Sequence, residues 1–250
     1  MVPEGLERVV RRYESRAPIG VKGREAFLAL PVIRRTLEPS TYLIREGEPP
    51  EYCSILLSGF AFRHKVTGAG ERQILSVHVP GEFLDLQNAL LGIADHHVQA
   101  LTRCEVALVG VPALEALTAA HPILARAMWI DTLIDAAIFR EWIVNIGRRD
   151  SISRIAHLLC EFALRLRAAG LAEEQRYELP MTQEQLADAV GLTPVHVNRV
   201  LKQLGRMKLI ERDKRAINIA DWKGLREVGD FNSRYLHFEA GAAAAPQSAL

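Results

Sequence analysis

The sequence predicts an α+β chain in three parts: an N-terminal antiparallel β-roll (jelly-roll) domain, a long dimerisation helix and a C-terminal winged helix-turn-helix domain. Three observations carry that expectation. Between Ile33 and Val111, short apolar or alternating runs are separated by Gly/Pro turns, the texture of a sandwich or barrel. From Ile123 to Ile146 apolar residues recur at steps of three and four, which is helical. From Thr182 to Leu204 two capped helical segments flank a glycine. The boundaries follow: 1–112 for a helical lead-in and β-roll of the effector-binding type, 113–149 for the connecting and coiled-coil helix, 150–238 for the winged helix-turn-helix, and 239–250 for a tail expected to be disordered.

Composition bounds the rest. A chain of 250 residues suits two modest domains with a connection. A content of 49% hydrophobic and 24% charged residues is that of an ordinary globular protein. The net charge of +1 does not itself point to nucleic acid, so any basic surface must be local. Cys53, Cys104 and Cys160 are far apart and form no CxxC pair, which argues against a disulfide framework or a cysteine zinc site. One subunit also lacks four thiolates for an iron–sulfur cluster. Three reduced thiols in a cytoplasmic protein are expected. The first twelve residues carry charge where a secretion signal needs an apolar run. Arg126, Asp131, Asp135, Arg140 and Glu141 interrupt the most apolar stretch, so no membrane span is expected.

Residues 1 to about 30 read as helical, with breaks at Pro18 and Gly20. The strand candidates are Thr41–Ile44, Cys53–Leu57, Ala61–Val66, Gln73–Val79, Val98–Thr102 and Val106–Val111. Pro112 opens a helical region, His121-Pro122 breaks it, and Pro122 suits the first turn of the next helix. Along that helix Ile123, Ala127, Ile130, Ile134, Ala137 and Val144 follow steps of four and three, with Glu141 interrupting. This coiled-coil seam is the expected dimer interface. Trp129, Leu133, Ala136 and Ile143 form a second apolar set on another side. A helix apolar on two sides needs two partners. The simplest arrangement packs one side on the β domain and the other on a second subunit; burial within one large domain is the alternative. Asp150-Ser-Ile-Ser153 then marks a hinge or helix cap, followed by a helix over about Ser153–Ala169.

The 182–204 segment is the most informative. Thr182 and Gln185 make a capping box, and Gly191 suits the end of the first helix. Thr193 caps the second helix, with Pro194 at its first position. Ala187, then glycine four later, then Val197 and Val200 six and nine beyond that, give helix-turn-helix spacing. A generic helical hairpin is the bland alternative. Outward residues of the second helix are Val195, His196, Asn198, Arg199 and Lys202, and such residues meet base edges in the major groove. Arg199 is placed for bidentate reading of guanine, and Val195 for a thymine methyl. Asn198 or His196 suits a base or a phosphate, and Lys202 a phosphate. From 199 to 215 seven basic residues (Arg199, Lys202, Arg206, Lys208, Arg212, Lys214, Arg215) face only Glu211 and Asp213, a phosphate-contacting footprint beside such a motif. Residues 209–219 alternate as a hairpin wing with Lys214 and Arg215 near its tip.

With these pieces in order, the chain resembles the Crp/Fnr family of transcription regulators over roughly residues 25–235. The likeness rests on Arg45-Glu-Gly-Glu, Leu57-Ser-Gly59, Pro80-Gly-Glu-Phe83, Cys104-Glu-Val-Ala107 and the 182–204 motif. It implies a homodimer on near-palindromic double-stranded DNA, a small effector in the β-roll, and RNA polymerase as partner if the protein activates. Two departures stand out. Val195 occupies the place where many members carry a glutamate that accepts from cytosine, four residues before Arg199. Leu86 occupies the place of the glutamate that holds the ribose in cyclic-AMP-binding members, and no Lys or Arg occurs between Gln73 and Thr102. A buried phosphodiester without a cation is costly, and Asp85 adds to the cost. Cyclic AMP is therefore not expected, and the residues left as effector-facing candidates are Asp85, Gln87, Asn88, His96 and His97. The N-terminal cysteine cluster of oxygen-sensing members is absent, and haem ligands have no counterpart. His96-His97 could ligate a metal, but adjacent histidines in a polar loop are more often exposed. His78 reads as a satisfied strand histidine.

A ligand-binding module working without DNA would show phosphate-binding charge in 81–102 and no groove-reading helix; the sequence has the reverse. No Ser/His/Asp spacing, P-loop or HExxH argues for an enzyme. The expected function is a homodimeric, sequence-specific DNA-binding regulator, either effector-controlled or constitutive.

Overall fold

The computed structural model describes residues 4–172 and 175–238, so the tail at 239–250 lies outside the described residues. The chain divides into two compact units. Of the described residues, one unit holds 4–61, 80–138 and 234–238; the other holds 62–79, 139–172 and 175–233. This division gives residues 62–79 to the C-terminal part, unlike the boundaries drawn from sequence. No helix of the described residues is long and apolar enough to cross a membrane.

In the first unit, α1 (Glu4–Glu14) and α2 (Gly20–Leu28) precede β1 (Val32–Leu37), β2 (Tyr42–Ile44) and β3 (Tyr52–Ser58). After the excursion of β4 (Ala61–Val66) and β5 (Arg72–His78) come α3 (Asn88–Leu91), β6 (His97–Ala100), β7 (Cys104–Gly110) and α4 (Val111–Ala120). Within this unit β1, β7 and β3 form an antiparallel sheet in that order, and β2 pairs antiparallel with β6. Successive side chains of a strand point to opposite faces. Ile55 and Leu57 of β3 therefore enter one core with Ala107 and Val109 of β7. Leu56 enters the other with Val106 and Leu108. Both faces are covered, which is why these strands read as apolar runs rather than alternations. Leu6, Val9, Val10 and Tyr13 recur at helical spacing on α1 and are fully buried in the first core. Each such side chain contributes about 1.5–3 kcal/mol of burial. Arg12 of α1 donates to Asp131 at 2.7 Å and to Glu82 at 3.0 Å, tying the lead-in to the turn after Pro80. Gly59 has φ +75°, and a Cβ there would lie 2.4 Å from the Arg103 carbonyl oxygen, so Leu57-Ser-Gly59 requires its glycine. Strand β1 was not foreseen, because Val-Ile-Arg-Arg-Thr-Leu does not alternate; it is an edge strand paired with β7.

The long helix α5 runs Pro122–Arg148. It corrects the expected seam. Ala127, Ile134 and Ala137 are buried within the chain, Ala127 in the first core with Leu124. Ile123 and Ile130 are half-buried. Glu141 is occupied by Arg149 at 2.7 Å. Of the seven residues, Val144 is the exposed one. The open stripe is the second apolar set: Trp129 is 69%, Leu133 64% and Ile143 71% exposed. Positions 129, 133, 136, 140 and 143 repeat by four and three, the spacing that a heptad seam requires. This stripe is turned by one residue, about 100°, from the expected face.

The second unit holds α6 (Ser151–Ala168), β8 (Arg176–Glu178), α7 (Gln183–Val190), α8 (Pro194–Arg206), β9 (Ile210–Asp213), β10 (Ala216–Ile219) and α9 (Trp222–Val228). Asp150 caps α6 by accepting from the Ile152 and Ser153 amides, as the Asp-Ser-Ile-Ser run suggests. These hydrogen bonds to the carboxylate, Ser153 foremost, hold its pKa below the ordinary value. Ile155, Leu159, Phe162, Val197, Val200, Leu201 and Leu204 are buried and form the inner faces of α6 and α8. The wing gains a third strand, in the order β8-β10-β9, from the segment between α6 and α7. The β4–β5 hairpin belongs to this unit: Arg72 pairs with Asp188 of α7 at 2.7 Å, and Gln73 donates to the Asp188 carbonyl at 2.7 Å.

Candidate nucleic-acid interface

Local rules set the two helices of the site. The Gln185 amide donates to the Thr182 hydroxyl at 3.2 Å, and the Gln185 side chain accepts the Thr182 amide at 2.9 Å, a reciprocal box that starts α7. Gly191 closes α7 with φ 64° and ψ 44°, a conformation open to glycine at no steric cost. Ala187 is buried where α8 crosses, and the Leu192 amide returns to its carbonyl at 3.1 Å. Thr193 accepts the His196 amide at 3.3 Å, and Pro194 fills the first turn of α8.

With one face of α8 in the core, its other face presents the recognition candidates. Val195 is 82% exposed. Thr193, Arg199 and Lys202 are exposed, and His196 and Asn198 half-buried. The wing hairpin ends in a two-residue turn at Lys214 and Arg215, both exposed, with Lys214 at φ 51°. Arg212 fixes that tip by donating to the Lys214 carbonyl at 3.0 Å. All seven basic residues foreseen between 199 and 215 are exposed. They lie on α8, the turn after it and the wing, in one compact unit.

Two features were not legible in sequence. His196 Nε2 lies 2.9 Å from the Ser151 hydroxyl and 3.0 Å from Arg199 Nη2. Asp188 of α7 is held by Arg72, 116 residues away, a separation over which local pattern carries no signal. Near the start of α6, His157 is buried and meets the Gly229 carbonyl at 3.1 Å; burial, and then Arg149, push its pKa below the ordinary histidine value.

Known proteins bear on this geometry. The Crp-like helix-turn-helix domain matches residues 153–228, and the cyclic nucleotide-binding domain matches residues 34–121. The chain belongs to the Crp/Fnr family. It is a DNA-binding transcription regulator. The nitrogen fixation regulation protein FixK of Rhizobium meliloti is 27% identical over 201 residues, 79% of this chain and 88% of that one. The transcriptional activator protein Anr of Pseudomonas aeruginosa is 25% identical over 187 residues, 75% of this chain and 76% of that one. The structure of FixK2 from Bradyrhizobium japonicum superposes with a TM-score of 0.74 at 25% identity, over 80% of this chain and 98% of that one.

The effector-facing candidates of this Crp/Fnr chain separate into different roles. Asp85 is fully buried and accepts the Ser54 amide at 2.7 Å and the Ser54 hydroxyl at 3.1 Å, so its carboxylate anchors β3. Gln87 precedes α3 and is half-buried, with no side-chain capping bond. Asn88 is fully buried, and neither its amide nitrogen nor its oxygen has a hydrogen-bond partner. His96 is buried against Asp95 at 2.6 Å, which corrects the expectation of an exposed pair. His97 accepts the Glu46 amide at 3.1 Å. The adjacent rings thus serve separate partners. His78 meets the Ser76 hydroxyl at 3.0 Å, the satisfied strand histidine expected. Asp85→Ala is expected to lower unfolding stability by about 2–3 kcal/mol, because the Ser54 amide loses a charged acceptor. Urea titration checks this, and an unchanged midpoint would mean that the carboxylate does not anchor β3.

Proposed function

We propose that two copies of the chain pair along α5 and set their α8 helices into successive major grooves of near-palindromic duplex DNA. The observation that carries this reading is the face of α8: Val195, Arg199 and Lys202 exposed on a helix whose opposite side is core. Arg199 reads guanine through its planar pair of donors, worth roughly 1–3 kcal/mol of discrimination. Val195 meets a thymine methyl. Asn198 and His196 serve a base or a phosphate, and Thr193, Lys202, Lys214 and Arg215 serve the backbone. The two recognition helices need a separation near one DNA turn, about 34 Å.

The β-roll is proposed to hold no cyclic AMP. Leu86 offers no acceptor to a ribose hydroxyl, no cation lies between Gln73 and Thr102, and the buried Asp85 would repel a phosphodiester. No iron–sulfur cluster, haem or metal enters the reading. A different small effector, biasing a two-state arrangement about residues 148–153, suits it. If the protein activates, RNA polymerase is its partner in the cytoplasm.

The test is selection of bound sequences from random duplex DNA, with Arg199→Ala alongside. The variant is expected to lose about 10- to 100-fold in affinity for the selected site, while binding to bulk genomic DNA changes far less. Equal losses on both DNAs would remove Arg199 from base reading. A wild-type pool with no enriched sequence would overturn the function.

A further inference from the structure

Arg199 has an orienting partner of an unusual kind. Among the described residues its side chain makes no ion pair with a carboxylate; the hydrogen bond it makes goes to His196, one turn earlier on α8. Arginine has donors only. His196 Nε2 is therefore the acceptor in this contact. The same Nε2 lies 2.9 Å from the Ser151 oxygen, so the Ser151 hydroxyl and the Arg199 guanidinium share its one lone pair. Ser151 is the first residue of α6, fixed by the Asp150 cap, and α6 packs on α8 within one compact unit. Through this shared nitrogen a rigid helix start is joined to the tip of the base-reading arginine.

We infer that His196 and Ser151 are positioning residues for Arg199: they orient the guanidinium toward the guanine and set the selectivity of that one base position. The inference rests on the DNA-reading function proposed above. A carboxylate in place of His196 would fix the guanidinium but neutralise it. An imidazole acceptor removes rotamer freedom and leaves the guanidinium its full charge, with four of five donors free for the base. Val195, beside His196 on the helix, offers neither donor nor acceptor and cannot substitute. Ordering a long side chain before binding spares its entropy at the moment of binding, an effect of about 2- to 10-fold per half-site.

The experiment is random-duplex selection with wild type, Arg199→Ala, Ser151→Ala, Ser151→Thr and His196→Ala, scored position by position. Arg199→Ala identifies the guanine position by its loss of preference. Ser151→Ala and His196→Ala are expected to lower guanine preference there by about 2- to 10-fold. For Ser151→Ala, which touches no DNA group in the proposed complex, the other positions and the binding of random duplex stay as in wild type, and Ser151→Thr, which keeps the hydroxyl, restores the preference. A purely structural role would depress all positions together, and that result would overturn the inference, as would unchanged preference in both variants. A wild-type pool that enriches nothing, or an Arg199→Ala that alters no single position, overturns the DNA-reading assignment itself. Enrichment in wild type with Ser151→Ala and His196→Ala unchanged overturns the positioning role alone.

Discussion

Leu133→Asp is expected to turn the chain from dimer to monomer without unfolding it. Leu133 is 64% exposed at the centre of a stripe that repeats by four and three along α5 and includes Trp129 and Ile143. An open face carrying a tryptophan, a leucine and an isoleucine is costly in water, and on the proposed pairing a second copy of the helix covers it with matching knobs and holes. A two-fold seam brings both copies of residue 133 close to the axis. The substitution then removes two leucine burials, roughly 1.5–3 kcal/mol each, and sets two unpaired carboxylates together. Association weakens by at least about 100-fold. Ile134→Asp, one residue on, has a different expected outcome. Ile134 is 4% exposed, so its charge falls inside the protomer and lowers the unfolding midpoint. Sedimentation velocity with circular dichroism separates the two variants. If Leu133→Asp sediments as a dimer, the seam lies elsewhere.

That contrast shows what sequence periodicity gives and withholds. Both apolar sets of α5 are visible as three-and-four spacing, yet spacing is the same for a face that meets the chain's own domain and one that meets a copy. Only the burial of Ala127 and Ile134 decides which is which. The helix-turn-helix was legible in detail because its determinants are local: Thr182 and Gln185 cap within one turn, Gly191 takes a positive φ, and Thr193 with Pro194 starts α8. The face of α8 follows from its period alone. The links from Ser151 to His196 and from Arg72 to Asp188 join residues 45 and 116 apart, and no local pattern encodes a contact made by tertiary packing. Strand β1 was hidden for another reason. As an edge strand with four consecutive exposed residues, it lacks the alternation by which strands are read. In the β-roll, Asp85 has a residue type that suggests a ligand, and only its two bonds to Ser54 show that it works for the fold.

The second large effect is expected in the polar interior of the C-terminal unit. Glu161 is 1% exposed; its oxygens accept the Trp142 indole N–H at 3.0 and 3.2 Å and Arg165 Nη1 at 3.3 Å. Arg165 in turn donates to the Val77 carbonyl of the β4–β5 hairpin at 2.7 Å. Glu161→Leu removes the carboxylate from a buried guanidinium and the acceptor from a buried indole. Breaking a buried pair from one side costs about 3–5 kcal/mol, against about 1 kcal/mol for a surface pair. Adding Arg165→Met to Glu161→Leu withdraws the buried cation as well, and burial of similar apolar volume should return most of that loss. What the double variant cannot return is the bond to Val77 and the acceptor of the Trp142 indole. Urea unfolding should therefore rank wild type and the double variant close together, with Glu161→Leu far below. Amide exchange in β5 should stay fast in the double variant despite its recovered stability. A neutral Glu161→Leu would show that the Glu161–Arg165 pair does not hold this interior together. A double variant as unstable as the single one would place the loss in the indole and hairpin contacts instead.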